Sequence, residues 1–204
     1  MEVMRIIGIS KAGIAKVFQT QDPDKRGSQY PTYKDLLALV KEFQVRQLFP
    51  GKQLDELMDP ALEFLSQRID PHGVAGRETW YTSVADDGTL AVSLFEWISD
   101  LFIGFGQEAY FGKKLGEIEP DLVQTFQEFD AAAWQVLYQY PSFLSQGMLK
   151  KKSKIQAAME RYFALPVKER SDAAWLTLEL EKEMKRLAVS DHDRALFFFQ
   201  MYWR

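Results

Sequence analysis

The chain has 204 residues, 47% of them hydrophobic and 26% charged, which is enough to build a buried core in a water-soluble body. A formal net charge of −4 argues against a broad nucleic-acid-binding face. The sequence contains no cysteine, which excludes disulfides and thiolate ligands and leaves His72, His192 and carboxylates for any metal site.

The N-terminal part of the chain carries apolar residues at helical spacing in three segments, 10–18, 34–49 and 54–69. Ser10 is a residue type that caps helix N-termini, and Pro50-Gly51 separates the second segment from the third. This pattern predicts three helices.

Segment 70–92 is irregular, and its Asp-Asp-Gly sequence at 86–88 is the one hairpin signal of the chain. The apolar and aromatic residues of 94–105 then form one broad stripe, which predicts a buried helix. The fold predicted is mainly α-helical, with at most one short hairpin.

The C-terminal half predicts a long helix from Pro120 to Tyr140, because apolar residues recur at helical spacing up to Pro141. A second helix is predicted around 155–163, and a third that Ser171 would cap.

The last segment begins with Ser190 and Asp193 at the spacing of a capping box. The sequence RALFFFQMYWR that follows is apolar around nearly its whole circumference, which is typical of a central, buried helix. A domain rarely ends inside such a helix, so we interpret 1–204 as one incomplete helical domain.

No residue pair suited to catalysis is evident. Five carboxylates cluster in sequence: Glu117, Glu119, Asp121, Glu128 and Asp130. Paired catalytic carboxylates need environments that separate their pKa values, whereas these positions fit helix N-terminal charges and a solvated face. The three glycines of 104–112 lack the spacing of a phosphate-binding loop, so we expect them to permit close helix packing and a helix end.

The basic run KKKSK at 150–154 follows the apolar sequence FLSQGML. Two interpretations stay open. The run is a solvated loop, or it belongs to a patch whose apolar side chains enter a membrane surface while its lysines meet anionic headgroups.

The stretch VSLFEWISDLFIGFGQEAYFGKKLGEIEPDLVQTFQEFDAAAWQVLYQYPSFLS resembles the middle of fungal cytochrome P-450 haem-thiolate monooxygenases. The matching positions are Trp97, Ala109, Phe111, Gly112, Leu115, Pro120, Leu122, Phe126, Phe129, Asp130, Pro141 and Leu144. Segment 188–204 is similar to the start of the family's central helix over the distal face of the haem. Segment 43–69 is similar to the helix near the haem propionates and its continuation.

The resemblance implies a partial cytochrome P-450 fold in a protein that binds haem and hydroxylates an apolar, sterol-, lipid- or secondary-metabolite-like substrate. An NAD(P)H-dependent reductase would supply electrons at the endoplasmic reticulum membrane face, with 141–154 touching the membrane surface. The cysteine haem ligand of the family is missing here, so the chain alone is expected to be inactive. Without a signal or membrane-spanning segment it would be cytoplasmic if expressed alone.

The resemblance also implies site residues, although none of them is catalytic or metal-ligating. Substrate-pocket positions would be Phe199, Tyr202, Trp203, Ile9 and Ile14, and a haem propionate would be reached by Arg46 or Lys41. Two other classes of function stay open. One is a stand-alone helical module that binds a partner helix or lipid. The other is an unrelated α-helical hydrolase, which would need a nucleophile–base pair that no motif supplies.

Overall fold

The computed structural model describes residues 4, 7–18, 35–69, 81–84, 86 and 89–202. The helices are α1 (Lys11–Phe18), α2 (Leu36–Leu48), α3 (Lys52–Ile69), α4 (Leu94–Phe111), α5 (Lys113–Ile118), α6 (Leu122–Asp130), α7 (Trp134–Leu137), α8 (Gln146–Ala164), α9 (Trp175–Arg186) and α10 (Asp191–Tyr202). A 3-10 helix spans Val167–Arg170, and strands β1 (Tyr81–Val84) and β2 (Leu90–Val92) form an antiparallel pair. The prediction of a mainly α-helical fold with one short hairpin is confirmed.

The core lies where α8 packs against both α10 and α6. Every residue of α10 from Asp193 to Gln200 is buried, so the predicted central helix is confirmed. Phe163 of α8 stacks on Phe198 of α10 with ring centroids 4.3 Å apart. Aromatic pairs of this kind contribute about 0.5–1.5 kcal/mol beyond the apolar area they bury.

The N-termini of α1 and α10 meet at Asp193. Ser190 Oγ accepts a hydrogen bond from the Asp193 N–H at 3.1 Å and donates to Asp193 Oδ2 at 2.8 Å, as the capping spacing predicts. The same carboxylate accepts from the backbone N–H and the hydroxyl of Ser10, each at 2.7 Å, and Ser10 Oγ in turn accepts from the Gly13 N–H. One carboxylate thereby links two helix starts.

The single helix predicted from 120 to 140 is wrong, because α6 ends at Asp130 and α7 begins only at Trp134. Between them the amides of Ala132 and Ala133 donate to carbonyls three residues earlier instead of four, which tightens the turn. Ala133 and Val136 nevertheless remain buried. The apolar spacing therefore identified core positions without revealing the break.

The cap predicted for α9 is also wrong. Ser171 ends the 3-10 helix, and Ala174 precedes α9 without a side-chain cap. The Leu176 N–H in the first turn donates instead to Oε1 of the buried Gln47 on α2, at 2.9 Å. A long-range side chain thus replaces the local cap.

Helix α4 is buried on one side only, which corrects the prediction of a buried helix. It packs most extensively against α3. The close contact between α4 and Phe64 of α3 depends on Gly104, since a Cβ there would lie 2.5 Å from Phe64 Cζ. On the other side Phe95 and Phe102 are 82% and 66% exposed. Gly112, at φ +68°, ends the helix as predicted.

Candidate binding cavity

A cavity of about 610 Å³ lies among α4, α6, α9 and α10, with one residue of α2 at its wall. Its apolar lining consists of Phe102, Ile103, Gly106, Tyr110, Phe111, Phe126, Leu176, Phe198, Met201 and Tyr202. The volume falls within the range of about 300–1,000 Å³ that is typical of small-molecule sites. The cavity is therefore suited to an apolar molecule.

Few polar side chains interrupt this lining. Gln44, Asp130 and Thr177 complete the wall, together with the hydroxyls of Tyr110 and Tyr202. Burial raises the pKa of both tyrosines above the ordinary value, so they remain neutral at physiological pH. In this neutral form their hydroxyls can form hydrogen bonds with a bound molecule.

Gly106 forms part of the wall through its missing side chain. A Cβ built at this position meets no atom within 4 Å, in contrast to Gly104 two residues earlier. The space beside Gly106 is therefore accessible to a bound molecule, and a larger residue there would occupy it.

The predicted substrate-pocket residues lie in different places. Tyr202 lines the cavity, whereas Phe199 is fully buried in the core against Phe129. Ile9 and Ile14 are buried in the core near the start of the chain. Trp203 lies outside the described residues. Only Tyr202 of this set reaches the cavity among the residues described, and the substrate roles of all five stay predictions.

The two predicted haem-propionate residues lie on α2. Lys41 is exposed, and Arg46 is exposed with its guanidinium carbon 5.7 Å from the centroid of the Trp175 ring. A cation over an indole ring gains electrostatic attraction from the ring. Their proposed role toward a propionate remains a prediction.

The chain does not provide the ligands of a haem-thiolate iron. The sequence has no cysteine, and the described residues hold no group of three side chains suited to a metal ion. His192 lies at the start of α10, 57% exposed, with Nδ1 2.8 Å from Glu160 Oε1. His72 lies outside the described residues. Iron ligation does not fit the donors present.

Three of the five carboxylates of 117–130 pair with lysines of α8. Glu128 pairs with Lys151 at 2.6 Å, Asp121 with Lys154 at 2.5 Å, and Glu119 also contacts Lys154. The lysine contact is the main reason that the pKa of Asp121 is below its ordinary value. These contacts fit the predicted solvated face and leave no separated acid–base pair.

The basic run 150–154 lies in the first half of α8, so its interpretation as a loop is wrong. Just before this helix the side chains of Phe143 and Leu144 are 74% and 58% exposed, and Tyr138 is 78% exposed. Among the described helices, none combines the length and the apolar character needed to cross a bilayer. Surface contact with a membrane stays a prediction.

Comparisons of the chain with protein-family models, with curated proteins and with solved structures find no match. Function must therefore be argued from the residues and the cavity.

Proposed function

We propose that this chain is part of a haem-dependent monooxygenase of the cytochrome P-450 type and forms the apolar substrate-binding portion of that enzyme. The observation that carries the proposal is the cavity beside α10. Phe198, Met201 and Tyr202 of that helix line it, and α10 is the element whose sequence resembles the family's central helix. An apolar, sterol-, lipid- or secondary-metabolite-like substrate suits the size and lining of this cavity.

The complete enzyme would also need haem and an NAD(P)H-dependent reductase, working at the endoplasmic reticulum membrane face. In haem-thiolate enzymes the cysteine ligand pushes electron density toward the iron and favours cleavage of the O–O bond. Because this chain has no cysteine, that ligand must come from outside the present sequence. The chain alone is therefore expected to bind substrate without transforming it.

Filling the cavity tests the binding part of the proposal. Isothermal titration with androstane, a rigid tetracyclic hydrocarbon, should give saturable binding to the wild-type chain. Gly106→Leu should weaken it about tenfold or more, a loss of about 1.4 kcal/mol, because the new side chain occupies the space of the ligand. Gly147→Leu is the matched control, since Gly147 is also helical, in α8, and a Cβ there also meets no atom within 4 Å. Equal binding by the two variants, or none by wild type, would contradict the cavity as a site.

A second candidate function is lipid binding by a stand-alone helical module, favoured by the exposed apolar residues before α8. Vesicles that contain phosphatidylserine should then sediment the chain more strongly than phosphatidylcholine vesicles. Phe143→Ser with Leu144→Ser should abolish sedimentation, while Phe95→Ser on the exposed side of α4 should leave it unchanged. If the chain sediments with neither vesicle type, lipid binding by such a module and the predicted membrane contact of residues 141–154 are both excluded.

A further inference from the structure

Two hydroxyl groups at the cavity wall donate their protons to hydrogen bonds within the protein. Thr177 Oγ1 donates to the Tyr110 carbonyl oxygen at 2.7 Å, and the Tyr202 hydroxyl donates to Gln107 Oε1 at 3.1 Å. A hydroxyl carries one proton and two lone pairs. Towards a bound molecule, each of these groups can therefore act only as an acceptor.

The remaining polar groups of the wall either add further acceptors or can act both as donors and as acceptors. Asp130 contributes a carboxylate, which offers acceptors and negative charge. In the described part of the wall, Thr177, Tyr202 and Asp130 offer only acceptors to a bound molecule. Gln44 and Tyr110 can donate or accept, so they favour neither kind of ligand.

We propose that the cavity selects an apolar molecule whose polar group donates a hydrogen bond, such as an alcohol, over the same skeleton bearing a ketone or a carboxylate. A buried ketone oxygen would face acceptors and lose its hydrogen bonds to water. A carboxylate would in addition carry its charge out of water and toward Asp130. This inference rests on the proposed function of the cavity and specifies the class of substrate.

The test compares three ligands on one rigid skeleton: androstane, androstanol and androstanone. By isothermal titration the wild-type chain should bind the alcohol about fivefold tighter than the ketone, the effect of one hydrogen bond. In the double variant Thr177→Val with Tyr202→Phe this ratio should fall toward one, because two of the three acceptors of the wall are then removed. Androstane measures how far the two substitutions change binding of the skeleton alone. Thr177→Ser alone keeps the hydroxyl and should keep the preference.

The outcomes separate the two proposals. If the wild-type chain binds none of the three ligands, the proposed function fails and this inference fails with it. If androstane binds but the alcohol and the ketone bind equally, only the inference is overturned. A preference that is undiminished in the double variant would also overturn it, because the two hydroxyls would not be its source. If the double variant no longer binds androstane, the single variants decide: a preference unchanged in both would overturn the inference, and a reduced one supports it.

Discussion

Asp193 is a buried carboxylate that holds two helix starts together through Ser10 and Ser190. Burial alone would raise its pKa, but the hydrogen bonds from Ser10 and Ser190, with the nearby His192, hold the pKa below the ordinary value. A group whose pKa is lower in the folded state stabilises the fold above its unfolded-state pKa. That stability is lost as the pH falls through the folded-state pKa.

Asp193→Asn is expected to lower the free energy of unfolding by about 1–3 kcal/mol at neutral pH, because hydrogen bonds to the charged group are lost. The difference from wild type should shrink as the pH falls from about 3.9, the ordinary aspartate pKa, toward the lower pKa of the folded state, below which wild type has lost the same charge. Urea unfolding at both pH values measures this. Asp55→Asn, at an exposed carboxylate in the first turn of α3, should cost about 0.5 kcal/mol or less. Equal costs for the two variants would contradict the role given to Asp193.

Arg170 is a fully buried cation whose guanidinium lies 2.7 Å from Glu181 Oε1. Its guanidinium carbon is 5.0 Å from the Tyr162 ring centroid and 5.3 Å from that of Phe163. Glu181 is also buried and has one further cation, Lys185, at 2.6 Å. Removing one partner of a buried pair is costly because it strands the other charge.

Arg170→Met should therefore lower the free energy of unfolding by about 3–5 kcal/mol, and adding Glu181→Leu should restore part of it. Urea unfolding of the two single variants and the double variant gives the coupling. Arg161→Met removes an exposed cation paired with Glu119 and should cost about 1 kcal/mol or less. Strictly additive losses at Arg170 and Glu181 would show that the pair is not coupled.

Two nearby glycines of helix α4 have different packing environments. Gly104 allows the close approach of Phe64, whereas Gly106 borders open cavity space. Gly104→Ala should destabilise the fold by about 1–3 kcal/mol, because the ring of Phe64 must move. Gly106→Ala should stabilise it by up to about 1 kcal/mol through helix propensity. Thermal unfolding of both variants checks the opposite signs, and a shift in the same direction would contradict the packing described here.

Helices were predictable from the sequence where the residues that cap or bury them lie within or next to the helical segment itself. Ser10 caps α1, Ser190 caps α10, and the apolar spacing marks α2, α3 and α8. Prediction failed where the partner is distant in the chain. The first turn of α9 is satisfied by Gln47 of α2, and Phe102 of α4 borders a cavity whose other walls come mainly from α6, α9 and α10. The sequence pattern of one segment does not identify contacts with residues that are distant in the chain.

At the scale of the whole molecule the cavity could not be read from the sequence, because its wall combines residues of five helices. Gln44, Gly106, Phe126 and Thr177 become neighbours only after those helices pack. Among the described residues of the wall, Tyr202 is the one for which the resemblance to cytochrome P-450 proteins predicts a substrate-pocket role, and that role stays a prediction. That coincidence motivates the proposed family but does not replace a test of it.

The most direct test of the proposed function is to express the complete reading frame of the source gene and record the absorption spectrum of the reduced protein with carbon monoxide. We predict that the frame encodes a cysteine-bearing haem loop and that the product shows the red-shifted Soret band of thiolate-ligated haem. A frame without that cysteine, or a product without this band, would contradict the monooxygenase proposal. Retained binding of androstane would then leave a chain whose function is binding alone.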